Sequence, residues 1–242
     1  TDDTSVAGNT GTGNGTNGIV LYGNITGTTV LDANGLPYVV DSRVTVLADQ
    51  SLRFQPGTVV KFRSTDSFID IYGTLLAEGT ADNQIVFTSF YDDAYGGDTN
   101  GDGSATTPAP GDWEVIYLFP GGAATIDHAI VHYAGAEFVS GEDASIHANQ
   151  GSLAVSNSTV AYSAGHGVYA GSSTTGVTIQ NSNIYDNTGF GVYNANTATT
   201  LGAENNWWGD ASGPYHATLN PSGTGDEVSD NVDFDPWSVS AN

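Results

Sequence analysis

The sequence predicts an all-β fold, a right-handed parallel β-helix with about 24 residues and three short strands per coil, closed by N- and C-terminal caps. Two observations support this prediction. Residues 153–169 recur in residues 177–193 at a constant offset of 24 positions, and short runs of alternating apolar and polar residues end at turn residues. Because no 10- to 15-residue stretch has helical spacing, solenoids that contain helices are excluded.

The repeat places equivalent residues on successive coils, which we expect to number six or seven. Asn157 aligns with Asn181 and then with Asn205. Adjacent coils would pair their strands in parallel, about 4.8 Å apart. We expect these three asparagines to form a structural ladder at one corner. Asparagine tolerates the left-handed backbone, and its amide can hydrogen-bond the neighbours above and below.

The chain divides into three parts by composition. Residues 1–18 are mostly Gly, Asn, Thr and Asp, which predicts a flexible linker or lead. Residues 19–204 are predicted to form the β-helix with its N-terminal cap, interrupted by a loop at 92–112. Residues 205–242 are predicted to form the C-terminal cap, which covers the last coil.

The charge balance restricts the partners. The chain has 4 Lys and Arg against 27 Asp and Glu, for a formal net charge of -23. Such a surface repels phosphate backbones and anionic lipids, so we expect no nucleic acid and no membrane insertion. With no cysteine, the chain has no disulfide, thiolate metal site or thiol nucleophile.

The loop at 92–112 contains one motif with ligand chemistry. Asp98, Asn100 and Asp102 place oxygen side chains at alternate positions, followed by glycine and then Ser104, whose carbonyl would be a further ligand. This is the first half of a calcium loop of the EF-hand or dockerin type.

The twelfth position of that motif departs from the pattern, because Ala109 stands where a bidentate glutamate is expected. Asp92, Asp93 and Asp112 flank the loop and are predicted to supply the missing oxygens. We therefore expect Ca²⁺ to hold this loop. The alternative of a solvated acidic loop without an ion stays open.

Several segments carry a resemblance to a known family. They are residues 56–62 (PGTVVKF), residues 73–80 (GTLLAEGT) and residues 205–209 (NNWWG). The chain resembles the right-handed parallel β-helix repeat proteins found as modules of bacterial secreted and cell-surface polypeptides. The resemblance implies a secreted or cell-surface location and a place within a larger adhesin-like polypeptide. It implies no particular reaction.

The predicted function is a non-catalytic, calcium-stabilised extracellular module. It would act as a rigid scaffold or spacer and in adhesion or surface and matrix assembly, with extracellular polysaccharide or surface proteins as partners. One alternative is a polysaccharide-binding or lyase-like β-helix, with Tyr169 and Tyr193 as carbohydrate contacts because they recur at the repeat period. Another is a filament subunit that stacks end to end.

A lyase needs a basic side chain to abstract a proton. Lys61 alternates with Val60 and Phe62, so we expect it to point outward into solvent. His166 lies between two glycines, as in β-helical polygalacturonases, but it occupies the same repeat position as Phe190. That position is therefore interpreted as a coil corner, and we expect no catalytic centre.

Overall fold

The computed structural model describes residues 8–33, 35–137 and 141–242, which form twenty strands and no helix. The strands are β1 (Ile19–Ile25), β2 (Thr28–Leu31), β3 (Tyr38–Val46), β4 (Ser51–Phe54), β5 (Val59–Phe62), β6 (Phe68–Ile71), β7 (Thr74–Glu78), β8 (Ile85–Ser89), β9 (Ile116–Leu118), β10 (Ala123–Asp127), β11 (Ala129–His132), β12 (Ala144–Ala148), β13 (Ser152–Ser156), β14 (Thr159–Ala161), β15 (His166–Ala170), β16 (Gly176–Gln180), β17 (Asn183–Tyr185), β18 (Val192–Asn194), β19 (Leu201–Gly202) and β20 (Val232–Asp233).

The strands form a solenoid with three faces. The first face is a sheet in the order β2-β4-β7-β10-β13-β16-β19-β20. The other two faces form one larger sheet, because β1 and β3 each bend across both of them. The second face continues through β5, β8, β11, β14 and β17, and the third through β6, β9, β12, β15 and β18.

Every pairing between named strands is parallel, as expected when each strand lies on its equivalent one coil earlier. Seven coils follow from the chain order: β1–β2, β3–β4, β5–β7, β8–β10, β11–β13, β14–β16 and β17–β19. Paired residues are 23 positions apart in the first coils (Ser51 with Thr74) and 24 apart in the last (Ser152 with Gly176). The predicted parallel solenoid with three strands per coil is confirmed.

Inward side chains from all three faces form one continuous core of mainly Val, Ile, Leu and Phe. Aromatic side chains pack within it: Phe54 and Phe87 meet edge to face at 5.4 Å between ring centroids. Phe62 and Trp113 stack with centroids 3.8 Å apart. Because apolar positions recur once per coil, the core has no break between the first and the last coil.

The three predicted corner asparagines lie one above another and share a left-handed backbone, with φ of 49° at Asn157, 51° at Asn181 and 61° at Asn205. Their amides do not form the expected hydrogen-bonded ladder. Asn157 instead donates its amide to Asp127 Oδ1, at 2.8 Å. All three side chains are exposed, so water competes for their hydrogen bonds.

The hydrogen-bonded ladder lies one residue further along, at the buried positions Ser158, Ser182 and Asn206. Ser158 N–H donates to Ser182 Oγ at 3.2 Å, and Ser182 N–H donates to Asn206 Oδ1 at 2.8 Å. Asn206 also donates its amide to the carbonyls of Ile179 and Ala203, each at 2.7 Å. The left-handed asparagine turns the chain, and the following residue carries the bonds between coils.

The C-terminal residues cover the last coil. Strand β20 pairs with β19, and Trp208, Val228 and Phe234 join the core. At the other end, residues 1–7 of the predicted linker lie outside the described residues. Its last part contacts the body, because Asn17 N–H donates to the Thr99 carbonyl at 2.9 Å.

Candidate functional site

Residues 90–115 form a long loop between β8 and β9 that covers the outer side of β5. Lys61 alternates with the core residues Val60 and Phe62, so its side chain leaves the core as predicted. It does not reach solvent, however, because it is 0% exposed. Its Nζ donates a hydrogen bond to the Gly97 carbonyl at 2.7 Å. The expectation of a solvated Lys61 was wrong, since the inserted loop covers it.

Three carboxylates gather in this loop. One oxygen each from Asp93, Asp98 and Asp102 lies within 4.8 Å of the others. Two of these residues belong to the calcium-type motif, and Asp93 reaches the group from the start of the loop. Like charges this close repel one another unless a cation or protons compensate them.

Hydrogen bonds from the backbone fix the turn. Asp98 Oδ1 accepts from the N–H groups of Gly101 (2.7 Å) and Asp102 (3.1 Å), and its Oδ2 accepts from Gly103 (2.9 Å). Both glycines have positive φ, of 76° and 77°, which residues with a Cβ rarely adopt. The carboxylate of Asp98 therefore organises the motif from its first position.

The remaining motif residues surround Asp102. Its Oδ2 accepts from Asn100 Nδ2 at 3.0 Å and from Thr106 Oγ1 at 2.6 Å. Asn100 Oδ1 in turn accepts from Asp102 N–H at 3.4 Å. Ser104 N–H donates to the Asp102 carbonyl at 3.2 Å.

The other two flanking aspartates have different partners and are not members of the three-carboxylate group. Asp92 accepts from Thr88 Oγ1 at 2.6 Å, and Asp112 accepts from Ser89 Oγ at 2.6 Å. Both donors lie on or at the end of β8. These bonds tie the two ends of the loop to the same strand.

The electrostatics of the loop couple Lys61 to the carboxylates. Burial lowers the pKa of Lys61 to about 8, and the charges of Asp92, Asp93 and Asp98 oppose that shift. Burial raises the pKa of Asp93, and the neighbouring carboxylate of Asp98 raises it further. Asp93 Oδ1 is buried and has no hydrogen-bond partner. A hard cation bound beside it would supply that partner, so the residues present fit Ca²⁺.

A second feature is an aromatic ladder on the outer side of the third face, made of Tyr117, His147, Tyr169 and Tyr193. The strand register places them at the same position of four successive coils. Ring centroids are 4.6 Å apart from Tyr117 to His147, 4.6 Å from His147 to Tyr169 and 5.3 Å from Tyr169 to Tyr193. The last two rings are parallel within 4°.

Only part of this ladder is accessible. Tyr169 is 6% exposed, and the Glu142 side chain lies close enough to contribute to its electrostatics. Burial raises the pKa of Tyr169 to about 12. Tyr193 is half-buried and borders a cavity next to the C-terminal segment. Of the two tyrosines predicted as carbohydrate contacts, only Tyr193 presents its ring to such a space.

The comparison with protein-family models gives one match, to the model described as "Right handed beta helix region", over residues 114–222. The match covers a little under half of the chain and spans β9 to β19 and the start of the C-terminal segment. The chain is a right-handed parallel β-helix. Neither the curated proteins nor the solved structures contain a match. Among the described residues there is no helix long and apolar enough to cross a membrane.

The residues weighed for catalysis lie at structural positions of this β-helix. His166 Nδ1 accepts a hydrogen bond from Phe190 N–H at 3.0 Å, which joins two coils at a corner. Burial lowers the pKa of His166. Lys61 is covered by the loop, so its amine does not reach a substrate in this conformation.

One buried acid was not identified from the sequence. Glu114, just before β9, is 8% exposed, and burial raises its pKa to about 7, with Asp70 and Asp66 adding to the shift. It lies at the end of the inserted loop, where the repeat is interrupted. The sequence does contain an indication of this buried acid, because Glu114 is the one acidic residue in the otherwise apolar run of residues 113–118, WEVIYL.

Proposed function

We propose that this β-helix is a non-catalytic, calcium-stabilised module that acts outside the cell as a rigid scaffold or spacer, in adhesion or in surface or matrix assembly. The observation that carries the proposal is the group formed by Asp93, Asp98 and Asp102 in a loop that covers the body of the helix. A cation bound there would fix the loop to coils that are already joined by continuous parallel pairing.

Calcium suits this group because it takes six to eight oxygen ligands in flexible geometry. Three carboxylates supply at least three, and backbone carbonyls and water would supply the rest. The buried Asp93 Oδ1 lacks a hydrogen-bond donor, so an ion there replaces a missing interaction. The net charge of -23 adds a general attraction for divalent cations.

The extracellular setting rests on the resemblance to secreted and cell-surface β-helix modules and on this acidic balance. The lyase alternative is less well supported, because Lys61 is buried under the loop. End-to-end stacking requires a free strand edge on the last coil, and β20 already occupies the edge of β19.

The test is calorimetric titration of chelator-treated protein with CaCl₂, together with thermal unfolding at each calcium concentration. We expect saturable binding and an unfolding temperature that rises with calcium, because a ligand that binds only the folded state stabilises it. Asp98→Ala should abolish both effects, since Asp98 is a ligand and also shapes the turn.

Two further variants make the test specific. Asp93→Asn keeps the side-chain shape but removes one charge from the group, and it should weaken calcium binding. Asp82→Asn removes an equal charge from an exposed position outside the loop and should leave binding unchanged. No binding heat from the parent protein, or equal binding by Asp98→Ala, would overturn the calcium proposal.

A further inference from the structure

A cavity of about 360 Å³ lies between the seventh coil and the C-terminal segment. Its volume is in the range of small-molecule binding sites. The seventh coil contributes Phe190, Tyr193 and Thr197, and the C-terminal segment contributes His216, Glu227 and Asp230. The C-terminal wall belongs to a well-packed part of the fold, because Val228 and Ser229, between the two acids, are buried.

The cavity lies where the aromatic ladder ends. Val192 pairs in parallel with Val228, so Ser229 takes the position that follows Tyr193 on the next rung. Ser229 has no ring, and its hydroxyl turns back to accept a hydrogen bond from Asn194 N–H at 2.7 Å. The fourth to seventh coils each place a ring at this position, whereas the C-terminal segment places Ser229 there, and Tyr193 and Ser229 both line the cavity.

Tyr193 is therefore the last ring of the stack. Tyr169 packs on one face of it, with the two rings parallel, and Tyr193 lines the cavity together with residues 227–231, which lie one rung beyond it. Phe190 meets Tyr193 edge to face at 5.0 Å between centroids and forms an adjacent apolar wall. Rings held in this way offer a rigid platform for another flat ligand.

Two carboxylates lie beside this platform. The carboxylates of Glu227 and Asp230 line the cavity and are exposed, and no Lys or Arg lines it. His216 Nδ1 accepts from Leu219 N–H at 3.1 Å, which leaves its Nε2 to approach Asp230 Oδ1 at 3.3 Å. Carboxylates accept hydrogen bonds from hydroxyl groups and repel anions.

From this geometry we propose that the cavity binds a pyranose ring of a neutral carbohydrate, which takes the vacant rung of the ladder. The apolar C–H face of the sugar stacks on Tyr193, and its hydroxyl groups donate to Glu227 and Asp230. Uronic acids are disfavoured because their carboxylates meet acidic side chains on a chain of net charge -23. The site lies apart from the calcium-type loop, so this proposal does not depend on the proposed function.

The experiment is a calorimetric titration with three neutral oligosaccharides, cellohexaose, xylohexaose and N-acetylchitohexaose, and with hexagalacturonate as the acidic comparison. We expect at least one neutral hexamer to bind with a dissociation constant of about 1 mM or tighter. Tyr193→Ala should weaken that binding about ten-fold, the size of a ring-stacking contribution. Thr197→Trp, at an exposed position of the rim, should abolish it by filling the space.

Tyr22→Ala is the matched control, because Tyr22 lies on β1 and is 76% exposed. It should bind as the parent does, and circular dichroism should show that every variant is folded. The proposal is overturned if no neutral hexamer binds. It is also overturned if hexagalacturonate binds more tightly, or if Tyr193→Ala and Thr197→Trp both bind as well as Tyr22→Ala.

Discussion

The seventh coil and the fourth coil build the second face in different ways. In the seventh coil, strand β17 has one buried residue between two half-buried ones, as expected when the outer side of a strand is near solvent. Strand β8 in the fourth coil has five buried residues in a row. The difference arises from the inserted loop, which covers the outer side of the fourth coil and its neighbours. The repeat determines which residues point into the core. The inserted loop determines which of the outward-pointing residues are buried.

The largest expected effect tests the packing of the insertion. Trp113 at the end of the loop is fully buried, stacks on Phe62 and donates its Nε1–H to the His132 carbonyl at 2.7 Å. We expect Trp113→Ala to lower the free energy of unfolding by about 3–5 kcal/mol, the range for large aromatic truncations in a core. Urea denaturation measures this change.

The matched variant for that measurement is Trp207→Ala, in the C-terminal segment, where the ring is half-buried. We expect a clearly smaller loss of stability, because less apolar surface leaves the interior. Equal losses in the two variants would mean that the loop end is no better packed than the edge of the C-terminal segment.

The second prediction concerns the bonds between the regular coils. Asn206→Ala removes one acceptor and two donors from a fully buried amide and leaves the Ser182 N–H and the Ile179 and Ala203 carbonyls without these partners. We expect a loss of about 2–3 kcal/mol in the free energy of unfolding. Asn205→Gly, one residue earlier at an exposed left-handed position, should change it by less than about 0.5 kcal/mol. A reversed order would contradict the assignment of the ladder to Ser158, Ser182 and Asn206.

The third prediction uses pH at the end of the insertion. The raised pKa of Glu114, about 7, means that the folded state holds this proton more tightly than the unfolded state, whose value is near 4.5. Protonation therefore adds stability that is complete below pH 4.5 and lost as the pH rises through about 7.

Glu114→Gln removes this contribution, because the amide does not ionise. Between pH 5 and pH 8 we expect the parent to lose about 1–2 kcal/mol more of its unfolding free energy than the variant does. Urea denaturation of both proteins at several pH values checks this, since the other titrating groups are common to both. If the free energies of unfolding of the two proteins change with pH in the same way, Glu114 ionises in the folded state without a loss of stability.

The smallest expected effect concerns the corners of the regular coils. Asn181 is exposed with φ of 51°, a conformation that costs alanine about 1 kcal/mol. Asn181→Ala should destabilise by that amount, and Asn181→Gly should be close to neutral because glycine adopts positive φ freely. Thermal unfolding of the pair separates backbone strain from loss of the amide: a similar loss in both variants would favour the amide.

The sequence predicted the parts of the molecule that depend on periodicity. The 24-residue offset of Asn157, Asn181 and Asn205 was enough to predict parallel coils and their register, because equivalent side chains must lie on equivalent strands. Local chemistry also predicted the turn around Asp98, whose carboxylate accepts the backbone N–H groups of Gly101 and Gly103. These features depend on neighbours in the sequence or at a constant spacing.

The rest depends on contacts that no spacing encodes. Lys61 was expected in solvent because strand alternation says where a side chain points but not what lies over it. The approach of Asp93 to Asp98 and the stacking of Trp113 on Phe62 both result from the path of the inserted loop. The position of Ser229 next to Tyr193 results from an isolated pairing between Val192 and Val228. The C-terminal segment lies beyond the repeat, so the repeat does not predict this pairing.

According to the calcium proposal, a cation fixes the inserted loop to the β-helix without changing the β-helix itself. Hydrogen–deuterium exchange with and without Ca²⁺ tests this claim most directly. We predict that calcium slows exchange in peptides from residues 92–112, leaves residues 152–202 unchanged, and has no effect on the loop of Asp98→Ala. Loop exchange that is the same with and without calcium, or slowing spread equally over both regions, would contradict the account.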